Sequence, residues 1–262
     1  MRQKSILRSF TLSGIGLHSG GKTTIIVSPA PANAGVVFIQ KGVKIPALIS
    51  EVKQTGRGTT LKGIAVVEHL LAAIFGLGID NLQIEIRGSE LPAMDGSAAP
   101  YVKALRAAKI VEQDVEKTIL ILSQPIKIID GGSSLEARPC RGFIINFMVD
   151  FPGVGEQRLS FNPQNQHFDK EIAPARTFGY FEEHEALKKQ GLGLGARYEN
   201  ALVLGKDGCI NTPRFPDEIV RHKILDLLGD LALLGRPLQA EIEAVKSGHK
   251  LNAELVRRLS KA

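Results

Sequence analysis

The stretch VRHKILDLLGDLALLG, residues 220–235, carries His222, Asp226 and Asp230 at four-residue spacing. In a helix, residues four apart stand one above the other, so these three form a ridge. Val220, Ile224, Leu227, Leu228, Leu231 and Leu234 recur at helical spacing and make a broad apolar stripe beside that ridge. Gly229 adds little bulk there. A ridge beside a buried stripe is partly enclosed, and enclosed carboxylates need hydrogen-bond donors, a cation or a metal. Taken alone, the ridge reads first as a solvated helix edge with His222 and Asp226 as a weak surface pair, because such i,i+4 pairs are common.

The chain has six histidines, and two others sit in informative places. His69 follows Glu68 near the start of the apolar segment VVEHLLAAIFGLG. His249 follows Ser247 and Gly248, in a turn between a strand and a helix. A catalytic zinc needs three protein ligands of the His/Asp/Glu type and one open position. His222 and Asp226 supply two of these, and His69 can supply the third. Glu68, beside a ligand, can take a proton from the attacking water. His249 can protonate a leaving group, and Asp230 can hold that histidine and favour its charged form. The same residues also have plainer uses: a Glu-His pair can cap or pack a helix, and a turn histidine can simply be exposed. Spacing therefore leaves a zinc hydrolase and a general α+β binding protein both open.

These residues must be positioned by the elements around them. LRSFTLSGIGLHSGGKTTIIVSPA reads as strand, glycine turn, strand, and VVFIQKG as another short strand. A helix starts at Val66 and is closed by glycine. DNLQIEIRG is a strand in which Leu82, Ile84 and Ile86 alternate with polar residues. A loop then leads into a second helix from Ser97 or Pro100. The polar stretch 112–118 is the best boundary between two units. Beyond it, ILILSQPIKIID, SLEARPC and FIINFMVDF read as antiparallel strands, and 155–175 as irregular. EEHEALKKQG is a short helix, ALVLG precedes a cysteine-containing turn, and PLQAEIEAVKSGHKLNAELVRRLSK reads as strand, turn, helix. Each half thus offers several antiparallel strands and about two helices, an α+β pattern. No internal sequence repeat is visible.

Composition narrows the classes. A chain of 262 residues with 44% apolar content buries a sizeable core. Every apolar run is broken by charge or glycine, which argues against a membrane span, and the N-terminus has no signal-peptide pattern. The expected location is the cytoplasm. Cys140 and Cys209 lack metal or redox spacing and read as free thiols, so any metal is held by nitrogen and oxygen. The net charge of +6 favours an anionic partner. The basic residues are scattered, however, and no nucleic-acid motif appears, so no nucleic acid is expected.

The sequence resembles the UDP-3-O-acyl-N-acetylglucosamine deacetylases of lipid A biosynthesis. The resemblance is carried by TLSGIGLHSG at 11–20, VEHLLAAIFGLGIDN at 67–81 and LPAMDGSAAPYVKAL at 91–105. IAPARTFGYFEE at 172–183, VRHKILDLLGDLALLGRP at 220–237 and KSGHKLN at 246–252 continue it. It implies two α+β domains of like topology, each a mainly antiparallel sheet packed on about two helices, with the site between them. The first, 1–114, would contribute Glu68 and His69. The second, 115–262, would contribute His222, Asp226, His249 and a hydrophobic acyl-chain passage. It implies one zinc ion on His69, His222 and Asp226, Glu68 as general base, and His249 as acid oriented by Asp230. Thr177 would assist the polarised carbonyl, while Lys223 and Phe178 would bind substrate. The implied reaction releases acetate from a UDP-linked, 3-O-acylated N-acetylglucosamine. A monomer with transient contact at the inner membrane surface is expected. The chain departs from the pattern at Arg197, Tyr198 and Glu199, near the acyl passage, and at Val67, where a small hydroxyl residue is common. Alternatives are a zinc amide hydrolase for another nucleotide sugar, or a basic, non-enzymatic binding protein.

Overall fold

The computed structural model describes residues 1–262. β1 (Arg2–Ile6) pairs antiparallel with β9 (Ile110–Glu116), which brings the two ends of the first half together. Between them lies a five-stranded sheet of β2 (Phe10–Ile15), β3 (Lys22–Pro29), β4 (Val36–Gln40), β5 (Val43–Pro46) and β8 (Leu82–Arg87). Its order is β2-β3-β8-β4-β5, antiparallel throughout except for the central β8/β4 pair. β6 (Val52–Gln54) and β7 (Thr60–Leu61) form a small hairpin ahead of α1 (Glu68–Gly76). α1 runs into β8, and α2 (Ala99–Ala107) follows.

The second half repeats this plan. Its sheet holds β11 (Ile126–Asp130), β12 (Ser133–Arg138), β13 (Phe143–Phe151), β14 (Gly155–Phe161) and β18 (Leu238–Val245). The order is β11-β12-β18-β13-β14, again antiparallel except for the central pair, β18/β13. β10 (Leu120–Ile121) adds to the start of β18. α5 (Glu218–Leu231) precedes the central strand and α6 (His249–Leu259) follows it, as α1 and α2 flank β8. Between β14 and α5 the second half carries extra chain: α3 (Phe168–Glu171), β15 (Phe178–Tyr180), α4 (His184–Lys189), β16 (Leu202–Gly205) and β17 (Gly208–Cys209). The fold is thus α+β, two sheet-and-helix units of one topology.

Three segments differ from the sequence expectation. Residues 155–161 are a strand rather than irregular chain, because Leu159 and Phe161 pair with Phe147 and Ile145 of β13 while the polar residues between them face out. That alternation is two residues deep, too short to stand out by itself. Residues 112–116 likewise belong to β9, so the expected boundary at 114/115 falls inside a strand. β9 is polar because its alternate residues are exposed at the edge of a two-stranded ribbon. α1 also starts at Glu68, since Val66 takes a left-handed backbone, φ 56°, that no helix continues.

The two units share one core, and α1 and α5 cross at its centre. α1 is buried from Glu68 to Ile74, and every α5 residue but Arg221 is buried. Helices enclosed on nearly all sides carry apolar residues nearly all round, and charged exceptions on them need partners. Their close approach depends on Gly229. A Cβ there would lie 2.2 Å from the Glu68 carbonyl oxygen. The contact sets the α5 ridge directly against the first turn of α1.

Candidate active site

The α1–α5 crossing brings Glu68 and His69 to the ridge of His222, Asp226 and Asp230. All five are buried, at 5% exposure or less, so the ridge is not a solvated edge. His249 reaches in from the first turn of α6. The ligand atoms of His69, His222 and Asp226 lie within 4.8 Å of one another. They face a cleft of about 580 Å³, also lined by Glu68, Thr177, Phe178, Lys223 and His249. Asp230 sits behind, at 1% exposure.

The protonation states suit a cation. His222 Nδ1 is 3.1 Å from the Ala175 carbonyl oxygen, which can only accept, so Nδ1 carries the proton and Nε2 keeps its lone pair. Nε2 lies 3.3 Å from Asp226 Oδ1. Burial, with His222 nearby, holds His69 neutral by lowering its pKa to about 3. Burial likewise lowers that of His222. Burial pushes the Asp226 carboxyl up, but Lys223 and the protonated His249 prevail and hold it well below the usual carboxylate range. Two neutral imidazoles and one carboxylate, converging on one side of a cleft with room beside them, fit a divalent metal of the zinc type. No thiol is near.

Glu68 and His249 are tuned in opposite senses. Burial, reinforced by Asp226 and Asp230, raises the Glu68 pKa to about 7 despite His249. Burial pulls His249 down, but Asp230, Asp226 and Glu68 outweigh it and raise its pKa to about 9. His249 Nδ1 donates to Asp230 Oδ2 at 2.8 Å. Its Nε2 is left pointing into the cleft, 3.9 Å from Glu68 Oε1 and 3.8 Å from Asp226 Oδ2. Near neutral pH the site thus pairs a carboxyl group that titrates there, and can take a proton when ionised, with an imidazolium that can give one.

Other predicted residues fall around this centre. The Lys223 amine donates to Asp226 Oδ2 at 2.9 Å, so it neutralises a ligand as well as lining the cleft. Phe178 sets its ring edge-on to His222, centroids 6.0 Å apart, and packs on Phe151. Thr177 is fixed by its backbone: its N–H donates to the Gly96 carbonyl at 2.8 Å, and its own carbonyl accepts from Leu202. Gly96 must be glycine, because its φ is 81° and a Cβ would run into the Asn200 carbonyl. Arg197, Tyr198 and Glu199 line the outer cleft, and all three are exposed. Opposite them, the glycine turn of the first half accepts hydrogen bonds from the second: Leu194 N–H to the His18 carbonyl and Gly195 N–H to the Leu17 carbonyl. Val67, the N-cap residue of α1, is fully buried and gives the helix no side-chain cap.

Three residues outside the sequence reading complete the site. Thr59, Asn252 and the Ala175 carbonyl hold Glu68, Asp230 and His222. Asn252 lay in the KSGHKLN motif, four residues from Gly248 on a helix. Thr59 comes from TGRGTTLKG, a loop with no periodicity to mark it.

Arg176 and Glu218 tie the segment leading into β15 to the start of α5. The guanidinium meets both carboxylate oxygens, at 2.9 and 3.1 Å, and both side chains are buried. Burial pushes the Glu218 carboxyl up, but its bonds to Arg176 and Arg214 win and lower its pKa. Arg176→Ala would strand that carboxylate, and a loss of about 3–5 kcal/mol is expected. A urea-unfolding midpoint read beside wild type measures it.

A shared two-unit core, a His-His-Asp cluster and an opposed carboxyl and imidazole on one cleft fit a hydrolase of the metalloenzyme class. The family model described as UDP-3-O-acyl N-acetylglycosamine deacetylase matches residues 3–261, and the chain belongs to that family. It is 41% identical over 269 residues to the UDP-3-O-acyl-N-acetylglucosamine deacetylase of Myxococcus xanthus, covering 98% of this chain and 86% of the relative. It is 40% identical over 273 residues to that of Coxiella burnetii, covering 99% and 90%. The Syntrophotalea carbinolica protein of the same name is 40% identical over 269 residues, covering 98% and 87%.

Proposed function

We propose that the chain hydrolyses the N-acetyl group of UDP-3-O-acyl-N-acetylglucosamine, releasing acetate and a free amine in lipid A biosynthesis. The observation that carries this reading is the convergence of α1, α5 and α6 on one cleft in a chain of this family. His69, His222 and Asp226 would hold a single zinc ion. When bound, that ion supplies Lewis acidity toward the amide carbonyl and makes water easier to deprotonate.

The rest of the chemistry belongs to the side chains. Glu68 takes the proton from the attacking water. The Thr177 hydroxyl donates to the carbonyl oxygen as charge builds there. His249, kept cationic by Asp230, stabilises that charge through Nε2 and then protonates the departing nitrogen. Lys223 offers a positive charge to the anionic substrate, and Phe178 supplies an apolar wall. The acyl chain takes the outer cleft, where Phe181 and Tyr198 are 55% and 50% exposed. Such exposed apolar groups also support brief contact with a membrane surface, the source of an amphiphilic substrate. No helix is long and apolar enough to cross a membrane. We place the working enzyme in the cytoplasm as a monomer.

The test is acetate release from UDP-3-O-acyl-N-acetylglucosamine, run across acyl lengths and with the non-acylated sugar nucleotide. Faster turnover of an acylated substrate supports the assignment. Turnover of the non-acylated compound alone would move it to another nucleotide sugar. The pH profile of kcat/KM should be bell-shaped. The rising limb follows ionisation of Glu68, at or below pH 7 because a bound cation favours the carboxylate. The falling limb follows loss of the His249 proton, at or below pH 9 because the same cation disfavours the imidazolium. His249→Ala should lower the rate and remove the falling limb.

A further inference from the structure

We propose that Thr59 is a positioning residue that locks the general base and the acid histidine into one arrangement. The inference rests on the roles given above to Glu68 and His249. Thr59 is 1% exposed and spends each of its polar groups at the site. Its N–H donates to Glu68 Oε2 at 2.9 Å. Its hydroxyl donates to Asp230 Oδ1 at 2.6 Å, a short charge-assisted bond. The same oxygen lies 3.3 Å from His249 Nδ1. Its carbonyl accepts from the Val67 N–H, which pins the loop to the start of α1.

The consequences follow from valence. Asp230 Oδ2 accepts from both His249 Nδ1 and Asn252 Nδ2, each at 2.8 Å. Asn252 is itself fixed by the Ser247 hydroxyl, which donates to its Oδ1 at 2.7 Å. These three residues lie on or beside α6, so they fix one oxygen of Asp230 from that side only. Thr59 holds the other oxygen from the opposite half of the molecule. With it, the carboxylate plane is set from two sides, and so is the imidazole that bonds to it. Glu68, on α1, is tied to the same residue through its N–H. Gly58, whose Cβ would lie 2.9 Å from Glu68 Oε1, lets the loop come this close. The distance between base and acid is thereby fixed by one loop residue that hydrogen-bonds to none of the three candidate metal ligands and does not line the cleft.

Thr59→Val keeps the shape and the N–H but removes the hydroxyl, leaving Asp230 Oδ1 without a donor. Loss of such a supporting contact should lower kcat by roughly ten- to a hundredfold. KM and bound metal should stay within about twofold of wild type, since the N–H, the ligands and the cleft are untouched. Thr59→Ser should restore kcat to within a few-fold. A second readout needs neither turnover nor metal: the deshielded Nδ1 proton of His249, seen by NMR in histidine-labelled protein. It should broaden or shift in Thr59→Val and return in Thr59→Ser. If Thr59→Val folds poorly, Thr59→Ala carries the same comparison, with unfolding midpoints measured for each variant. An unchanged kcat in an active enzyme, an unchanged His249 proton, or no recovery in Thr59→Ser would each overturn the proposal. A wild-type enzyme inactive on the acylated substrate, with a normal Thr59-dependent proton signal, would instead sink the functional reading.

Discussion

Glu68→Ala is expected to lower kcat by about 10²- to 10⁴-fold while KM and metal content stay near wild type. The size of the effect follows from position. Glu68 is buried at 3% exposure, holds its carboxylate toward the cleft, and has a pKa raised to about 7. A base tuned this close to neutrality is both ionised and strong enough to accept a proton. No second carboxylate can replace it, because Asp226 is held well below the usual range by the cations around it and Asp230 is engaged by three donors. Glu68 is not in the ligand cluster, so its loss should leave the metal in place. Steady-state kinetics with metal analysis on one preparation separates the two effects. A variant that lost metal along with activity would make Glu68 a ligand rather than a base.

Asp226→Ala should do the opposite and remove the metal. Asp226 is the one anion among the three candidate ligands. Residues that merely support a metal ligand are worth roughly 10–100-fold in affinity, so removing a ligand itself should cost more than about 100-fold. A second cost is local. The Lys223 amine, 2.9 Å from Asp226 Oδ2 and 91% buried, would lose its counter-ion and repel a cation entering the site. Equilibrium dialysis against zinc, beside wild type, reads the loss directly. Asp226→Ala that kept stoichiometric metal at wild-type affinity would remove Asp226 from the ligand set.

Much of this arrangement could be read from the chain because helices impose a regular spacing. His222, Asp226 and Asp230 share a ridge by geometry alone, and the apolar stripe of α5 put that ridge near the core. What spacing could not reveal was which elements meet. That Glu68 lies against Gly229 depends on two helices from different halves crossing, and local sequence says nothing of it. Strand β9 was hidden for a related reason. Its residues are half polar, and its identity comes from its partner β1, more than a hundred positions away. β14 likewise owes its extended form to β13. Thr59 stayed unseen because its role lies in three hydrogen bonds made by a loop, and no periodic pattern marks such a residue. The duplicated topology left no sequence repeat, since a sheet order constrains alternation and chain length rather than residue identity.

The most direct test of the account strips the protein of metal and adds zinc back in measured steps. Acetate release from UDP-3-O-acyl-N-acetylglucosamine is followed at each step, and bound metal is counted. Turnover should vanish on stripping, rise in proportion to bound zinc and level off at one ion per chain. Full turnover without metal would contradict the account. So would no turnover at any acyl length with one ion bound to each chain.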